Sequence, residues 1–318
     1  MALSESRRKK LEMLTRSLAK GDIRRAQEVL RRTDGDGAAR PSGAEAASGQ
    51  TAAGTPGRSL ELGPTMPRGP VALEQAVPGV EQALSRHGRF WLVRRTLAQL
   101  SGDYLDVQRQ YAAVLRGARQ RFDELAASPG LCHVANGAPE SPLFMDLETC
   151  GLAGMPIFLV GLMSYQRGEL VFEQFLARHY GEEPAILAAF ADRLAASSVL
   201  VTFNGKSFDM NSVRDRSIVH RLELGDEPPH CDLLHEARRS WRGLVPNCRL
   251  QTLEQYLCKR RRVDDIPSAA IPDAYHRFVA SGDAGQLGSI LHHNLLDLLT
   301  MSQLLCALLT GEQPVSEY

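Results

Sequence analysis

The sequence predicts an α/β fold, in which a mixed sheet of three antiparallel strands followed by parallel strands is flanked by helices. Three short apolar segments at 143–147, 157–165 and 170–176 follow one another with only brief turns between them, as expected for consecutive hairpin strands. After them the pattern alternates, with a helix predicted at 184–197 and a buried strand at 199–203. Hairpin strands followed by such alternation are typical of a mixed sheet covered by helices.

Composition divides the 318-residue chain into four regions. Residues 1–32 hold 10 basic and 4 acidic residues with helical periodicity, which predicts a basic helical extension. Residues 33–70 are rich in Gly, Ala, Ser, Thr and Pro and have no aromatic residue, so we expect a disordered linker. Residues 71–140 are expected to form a subregion that packs on a catalytic domain at 141–310.

The sequence also predicts further strands and helices and the cellular compartment of the protein. A strand is predicted at 88–97, a long amphipathic helix at 104–126 and a long apolar helix at 287–309. The chain has no apolar run of about 18 residues, and its N-terminus lacks the apolar centre of a signal peptide. The six cysteines show no CxxC pair, which disfavours a disulfide framework. We therefore expect a cytoplasmic protein with free thiols and no membrane contact.

The stretch PLFMDLETCGL, residues 142–152, places two carboxylates at the end of a predicted strand. Because side chains in a strand alternate in direction, Asp146 and Glu148 are expected on the same face of the sheet. Two like charges beside an apolar core repel each other unless a cation neutralises them, so a divalent metal ion is one interpretation. The alternative is a pair of ordinary acids in a turn that follows the strand.

Two further polar groups occur later in the chain. Asp209 follows the predicted strand at 199–203 and begins a helix, where its carboxylate could also simply compensate the helix dipole. His293 and Asp297 are spaced four residues apart on a predicted apolar helix and so share one face. The alternative for this pair is a buried histidine satisfied by its own carboxylate, and His292 competes with His293 for any role.

The order Asp-x-Glu, then Asp, then His-x-x-x-Asp resembles the three exonuclease motifs of the DEDD superfamily, which has a ribonuclease-H-like fold. The sequence is most similar to the YprB-like ribonuclease-H-like family. The resemblance lies within residues 143–305. The segments that carry it are FMDLETCGL, FLVGLMSY, VTFNGKSFDMNSVRDR, CDLLHEARRSWR, CRLQTLEQYL, RRVDDIPSAAIPDAY and HHNLLDLL.

The resemblance implies a metal-dependent nuclease, specifically a 3′→5′ exonuclease on single-stranded DNA or RNA. It implies that Asp146, Glu148, Asp209 and Asp297 bind two ions of Mg²⁺ or Mn²⁺, the hard cations that carboxylates favour. Related exonucleases place a tyrosine four residues, or a histidine five residues, before the last acid. Here His293 and His292 occupy these two positions, so both are candidates for the catalytic base.

Four residues are candidate contacts to nucleic acid. Asn204 and Lys206 lie next to Asp209 in the sequence, and Arg260 and Arg261 belong to the basic run KRRRVDD. This run could form a surface that follows phosphates. The other arginines of that surface would be Arg238, Arg239, Arg242 and Arg249. The alternatives are a simple turn at Asn204 and a solvated basic face.

Two other functional classes are compatible with the sequence. One is a non-catalytic module that binds nucleic acid or a protein on a ribonuclease-H-like scaffold, although the presence of all four acids disfavours it. The other is a basic N-terminal arm, residues 1–32, that docks a protein partner. The choice between DNA and RNA stays open, because no group that would read a 2′-hydroxyl can be identified.

Overall fold

The computed structural model describes residues 69–100, 105–121, 128–151 and 154–314. The predicted basic extension at 1–32 lies outside the described residues, as does nearly all of the linker predicted at 33–70.

Seven strands form one mixed sheet in the described part of the chain. They are β1 (Val80–Leu84), β2 (Gly88–Thr96), β3 (Pro142–Thr149), β4 (Ile157–Gln166), β5 (Glu169–Leu176), β6 (Val199–Thr202) and β7 (His230–Asp232). Their order across the sheet is β1-β2-β5-β4-β3-β6-β7. Strands β3, β4 and β5 are antiparallel neighbours, β6 is parallel to β3, and β7 is parallel to β6. The predicted mixed sheet, with antiparallel strands first and parallel strands afterwards, is confirmed.

Strands β1 and β2 extend this sheet on the outer side of β5. β2 corresponds to the strand predicted at 88–97, and it pairs antiparallel with β5. β1 was not predicted, because VEQAL carries no apolar alternation and its residues are mostly exposed. Its partner β2 supplies the backbone hydrogen bonds of this edge.

The helices flank the sheet on both faces. Those in the described ranges are α1 (Leu73–Ala76), α2 (Leu105–Arg121), α3 (Pro129–Ala135), α4 (Glu183–Ala195), α5 (Asp209–His220), α6 (Leu233–Trp241), α7 (Leu250–Cys258), α8 (Ile271–Ser281) and α9 (Leu287–Thr310). The helices predicted at 184–197 and 287–309 correspond to α4 and α9. The helix predicted at 104–126 corresponds to α2, and residues 122–127 lie outside the described ranges.

The apolar core has one layer on each face of the sheet. One layer joins α4, α5 and α8 to the sheet, and Met145 and Leu147 of β3 point into it. The other joins α2, α3, α6, α7 and most of α9, and Phe144 points into that layer. By strand alternation, Asp146 and Glu148 lie on the same side as Phe144, facing α9. None of the helices in the described ranges is both long and apolar enough to cross a lipid bilayer.

Candidate active site

The two acids of β3 lie at the carboxyl end of this strand, on the face covered by α9. Both side chains are half-buried, whereas the residues before them in β3 are buried. β6 runs parallel to β3, so the loop after β6 leaves the sheet at the same edge. In α/β proteins this edge, beyond the carboxyl ends of the strands, is where ligands commonly bind.

A cross-strand row of small and amide side chains orients Asp146. Its partner in β4 is Gly161, and the partner of Gly161 in β5 is Gln174. Asn294 of α9 lies over this row. Its Nδ2 donates to Asp146 Oδ2 at 2.8 Å, and its Oδ1 accepts from Gln174 Nε2 at 2.8 Å. A Cβ on Gly161 would come within 2.0 Å of Asn294 Oδ1, so the asparagine fits only because residue 161 is glycine.

Asp209 is the first residue of α5 and follows the loop that leaves β6. The carboxylate of Asp232, at the end of β7, holds this loop. It accepts hydrogen bonds from the backbone N–H of Asn204 at 2.8 Å and of Lys206 at 3.1 Å. Asn204 has a left-handed backbone with φ +66°, a conformation that asparagine tolerates better than most residues. Asp232 therefore fixes the loop that precedes Asp209. No pattern in the sequence predicted this role.

Asp297 on α9 is already engaged by two cationic or polar groups. The Arg262 guanidinium donates to Asp297 Oδ1 at 2.5 Å, and His293 Nε2 lies 3.5 Å from Asp297 Oδ2. Arg262 also donates to Glu254 Oε2 at 2.7 Å and to Asp265 Oδ2 at 3.2 Å, and its side chain is only 6% exposed. Sequence reasoning treated the basic run as a surface, and the burial of Arg262 against these acids was missed.

The two candidate histidines have different environments. His293 is buried, and its Nδ1 lies 2.8 Å from Asp265 Oδ2, which is shorter than its contact with Asp297. His293 is thus satisfied mainly by a carboxylate from another segment, not by the acid one turn along its own helix. His292 is exposed on the neighbouring face of α9. The part of its side chain that packs against the protein loses hydration, and this desolvation is the largest cause that lowers the pKa of His292 below its ordinary value.

The four predicted acids form one electrostatic group. The pKa of Asp146 is raised well above its ordinary value, first by burial and then by the charges of Asp297, Glu148 and Asp209. The pKa of Glu148 is raised by burial and then by Asp297 and Asp209. Burial is also the main cause that raises the pKa of Asp209 to about 7. The structure therefore brings together the four acids that the sequence singled out, within mutual electrostatic reach.

The donor chemistry of this cluster fits a hard divalent cation, because it consists of carboxylate oxygens whose charges repel one another. Neither Glu148 nor Asp209 accepts a hydrogen bond from another described side chain, although the Asp209 carboxylate does accept one from its own backbone N–H. The geometry is not closed, however. Across the described ranges, no three His, Cys, Asp or Glu side chains form a group that could hold a metal ion as they stand. Asp297 would offer an ion its Oδ2, because Arg262 engages its Oδ1.

The four residues predicted to bind nucleic acid occupy four different settings. Asn204 lines a cavity of about 780 Å³ whose wall also includes Asp146 and Asp297. Lys206 follows Asn204 by two residues in the sequence, and its side chain is exposed. It forms no ion pair with another described residue. Arg261, three residues after the end of α7, is exposed and lines a separate, smaller depression.

Arg260 points into the protein, contrary to the exposed role expected for it. Its guanidinium donates to Glu254, to Thr300 Oγ1 at 2.6 Å and to Gln303 Oε1 at 2.9 Å. With its donors engaged at these internal acceptors, Arg260 ties α7 to α9. In this structure it is not offered to a phosphate.

Comparison with known proteins places this site in a family. A model of the RNase H superfamily matches residues 143–309, just over half of the chain, and the matched segment contains all four acids and both histidines. The chain is also 36% identical over 183 residues to "Uncharacterized protein YprB" of Bacillus subtilis (strain 168). That alignment covers 55% of this chain and 44% of YprB, so the chain matches less than half of its relative's length. On the family match and the mixed sheet together, the chain belongs to the RNase H superfamily and is similar to YprB within it.

Proposed function

We propose that this protein is a metal-dependent nuclease that hydrolyses phosphodiester bonds, acting as a 3′→5′ exonuclease on single-stranded DNA or RNA. Membership in the RNase H superfamily supports nuclease-type activity. The observation that carries the proposal is the cluster of Asp146, Glu148, Asp209 and Asp297, in which burial raises the pKa of each carboxyl group and the charges of other members add to the rise at Asp146, Glu148 and Asp209. Uncompensated carboxylates at the carboxyl end of a strand are costly unless they bind a cation.

In this proposal the four acids hold two Mg²⁺ or Mn²⁺ ions. When bound, such ions neutralise charge on the scissile phosphate and stabilise the attacking and leaving oxygens. Asp146 is held in one orientation by Asn294, which fixes where its second oxygen points. Glu148 and Asp209 present oxygens without competing hydrogen bonds from described side chains. Arg262 opposes the rise in the pKa of Asp297 and holds its Oδ1 in place.

We assign the role of orienting or deprotonating the attacking water to His293. Its ring is fixed by Asp265 at 2.8 Å, and its Nε2 is directed toward Asp297. A carboxylate behind an imidazole fixes the tautomer and stabilises the protonated ring. His292 is the competing candidate, because its lowered pKa favours the neutral imidazole that a base requires. The assignment predicts that His293→Ala abolishes cleavage and His292→Ala does not. The reverse result would transfer the role to His292.

A cleavage experiment tests the nuclease proposal. The full chain is incubated with 5′-labelled single-stranded DNA and RNA oligonucleotides in Mg²⁺, in Mn²⁺ and in EDTA, beside the variant Asp146→Ala. We expect products that shorten from the 3′ end in the presence of either metal, and none with EDTA or with the variant. Cleavage that persists in Asp146→Ala would exclude this site, and internal cuts would replace exonuclease by endonuclease action.

The second candidate is a non-catalytic nucleic-acid-binding module on the same scaffold. The Arg262–Asp297 ion pair favours it, since this pair satisfies one of the four acids without a metal ion. Absence of cleavage on every substrate and metal, combined with retained binding of an oligonucleotide, would support this candidate over the nuclease.

A further inference from the structure

The cavity lined by Asp146 and Asp297 is also lined by three arginines. Arg238 and Arg242 come from the end of α6 and the residue after it, and Arg249 precedes α7. All three side chains line the cavity and are exposed. None of them makes an ion pair or a side-chain hydrogen bond with another described residue. Three uncompensated guanidinium groups therefore face the same space as two of the site's acids.

Other arginines of the same region, in contrast, are paired with acids. Arg239, next to Arg238 on α6, pairs with Glu236. Arg260 and Arg262 are held by Glu254, and neither lines this cavity. The basic surface predicted from the sequence is therefore divided. Some of its arginines form ion pairs with acids, and the three that line the cavity do not.

The rest of the wall suits a strand of nucleotides. Apolar side chains of Phe203, Leu234 and Val245 also line the cavity and offer contact to sugars and bases. Leu250, the first residue of α7, also lies in the wall, and the preceding Arg249 makes no side-chain cap. The positive end of that helix dipole adds to the attraction for an anion.

We propose that Arg238, Arg242 and Arg249 bind the backbone phosphates of a single-stranded nucleic acid and hold the strand while an adjacent phosphate lies at Asp146. A cavity of about 780 Å³ is comparable to the 300–1,000 Å³ of small-molecule sites. A flexible segment of a few nucleotides can enter such a space, whereas a double helix cannot. The inference rests on the proposed function for its reaction, but the binding it describes needs no metal.

Fluorescence anisotropy of the full chain with a labelled single-stranded oligonucleotide, in EDTA so that nothing is cut, tests this site. The test variant carries Arg238→Gln, Arg242→Gln and Arg249→Gln. The matched control carries Arg86→Gln, Arg116→Gln and Arg119→Gln, which remove the same charge from exposed arginines outside the cavity. We expect the test variant to bind at least about tenfold more weakly and the control to bind almost as the wild type does.

The salt dependence gives an independent readout. Each phosphate contact to a single strand contributes about 0.7 to the slope of log K against log salt concentration, so losing three should reduce the slope by about 2. If the triple variant does not fold, each single variant should reduce the slope by about 0.7. Equal weakening in the control and test variants, no weakening in either, or a duplex of the same sequence bound as tightly as the single strand would overturn the proposal.

Failure of this inference can be distinguished from failure of the proposed function. If the wild type cleaves no substrate but only the test variant loses binding, the nuclease proposal falls and the arginine site stands. If the wild type cleaves and the test variant cleaves with unchanged KM, the nuclease stands and the arginine site falls.

Discussion

Two carboxylates on opposite faces of the same sheet, Glu183 and Glu148, differ in their hydrogen-bond donors and in the direction of their pKa shifts. Glu183, at the start of α4, accepts hydrogen bonds from Arg216 at 2.5 Å, His220 at 2.7 Å and the backbone N–H of Ile157 at 2.8 Å. Burial alone would raise the pKa of Glu183, but these donors more than offset it, and the pKa lies below its ordinary value. Glu148, on the opposite face, has no such donors, and its pKa is raised.

The difference separates a structural carboxylate from one available for function. A buried acid that is fully hydrogen-bonded holds elements together, here α4, α5 and the start of β4. An acid kept among other acids costs stability unless a ligand compensates it. Strained electrostatics of this kind are frequent at active sites. The predictions below test whether the two sites differ in this sense, from the largest expected effect to the smallest.

Replacing Glu148 with Gln should remove activity and spare the fold. If the acids bind catalytic ions, losing one ligand forfeits several kcal/mol of transition-state stabilisation, or about a thousandfold in rate. Because Glu148 accepts no hydrogen bond from a described side chain, thermal unfolding in EDTA should be unchanged or shifted upward. Exposed Glu223, replaced with Gln, is the control and should leave both measurements unchanged. Full activity in Glu148→Gln would show that Glu148 does not differ functionally from a structural acid such as Glu183.

Replacing Glu183 with Gln should have the opposite signature. Removing one partner from a buried ion pair leaves an uncompensated charge on Arg216 and costs about 3–5 kcal/mol. Urea unfolding should show this loss in the free energy of unfolding. The specific activity of the folded fraction, measured at low temperature, should stay close to that of the wild type. A variant as stable as the wild type would show that Glu183 does not hold these elements together.

Gly161→Ala should connect packing with activity. The new Cβ would collide with Asn294 and push it away from Asp146, and overpacking of this kind costs about 1–3 kcal/mol. We expect lower stability together with reduced cleavage, since Asp146 loses its orientation. Gly69→Ala, where a Cβ meets no atom within 4 Å, is the control. If the alanine variant lost stability while cleaving normally, the amide row would be structural only.

The smallest effect concerns pH. The pKa of Asp209 is about 7 in the folded protein and near 3.8 without burial, so between these values the folded state binds more protons than the unfolded chain. The stability of the metal-free protein should therefore fall as the pH rises through this window. We expect Tm in EDTA to drop by several degrees from pH 5 to pH 8, and less in Asp209→Asn. Asp215→Asn, an exposed acid on the same helix, should retain the wild-type slope.

Much of the sheet could be predicted, because strand segments and their turns are written in local patterns. The strand VEQAL was missed since an exposed edge strand needs no apolar face. Asn294 lies within the segment HHNLLDLL, where nothing in the local sequence indicates its partner. Asn294 and Asp146 are hydrogen-bonded although they lie 148 residues apart in the sequence. The periodicity of α9 does not indicate which residue of the sheet Asn294 will contact. The outward direction expected for Arg260 failed for the same reason, because basic runs do not reveal which members find a buried acid.

The amino-acid sequence by itself determined five of the seven strands in the described part of the sheet and the order of the four acids along the chain, whereas the short strands β1 and β7 were not predicted. It also determined that Asp146 and Glu148 share a face, since strand alternation depends only on near neighbours. Only the tertiary structure decided that Asp265 fixes His293, that Arg262 compensates Asp297, and that three arginines stay open at the cavity. Those outcomes depend on charges brought together from distant segments, and the energy of such contacts exists only once the chain has packed.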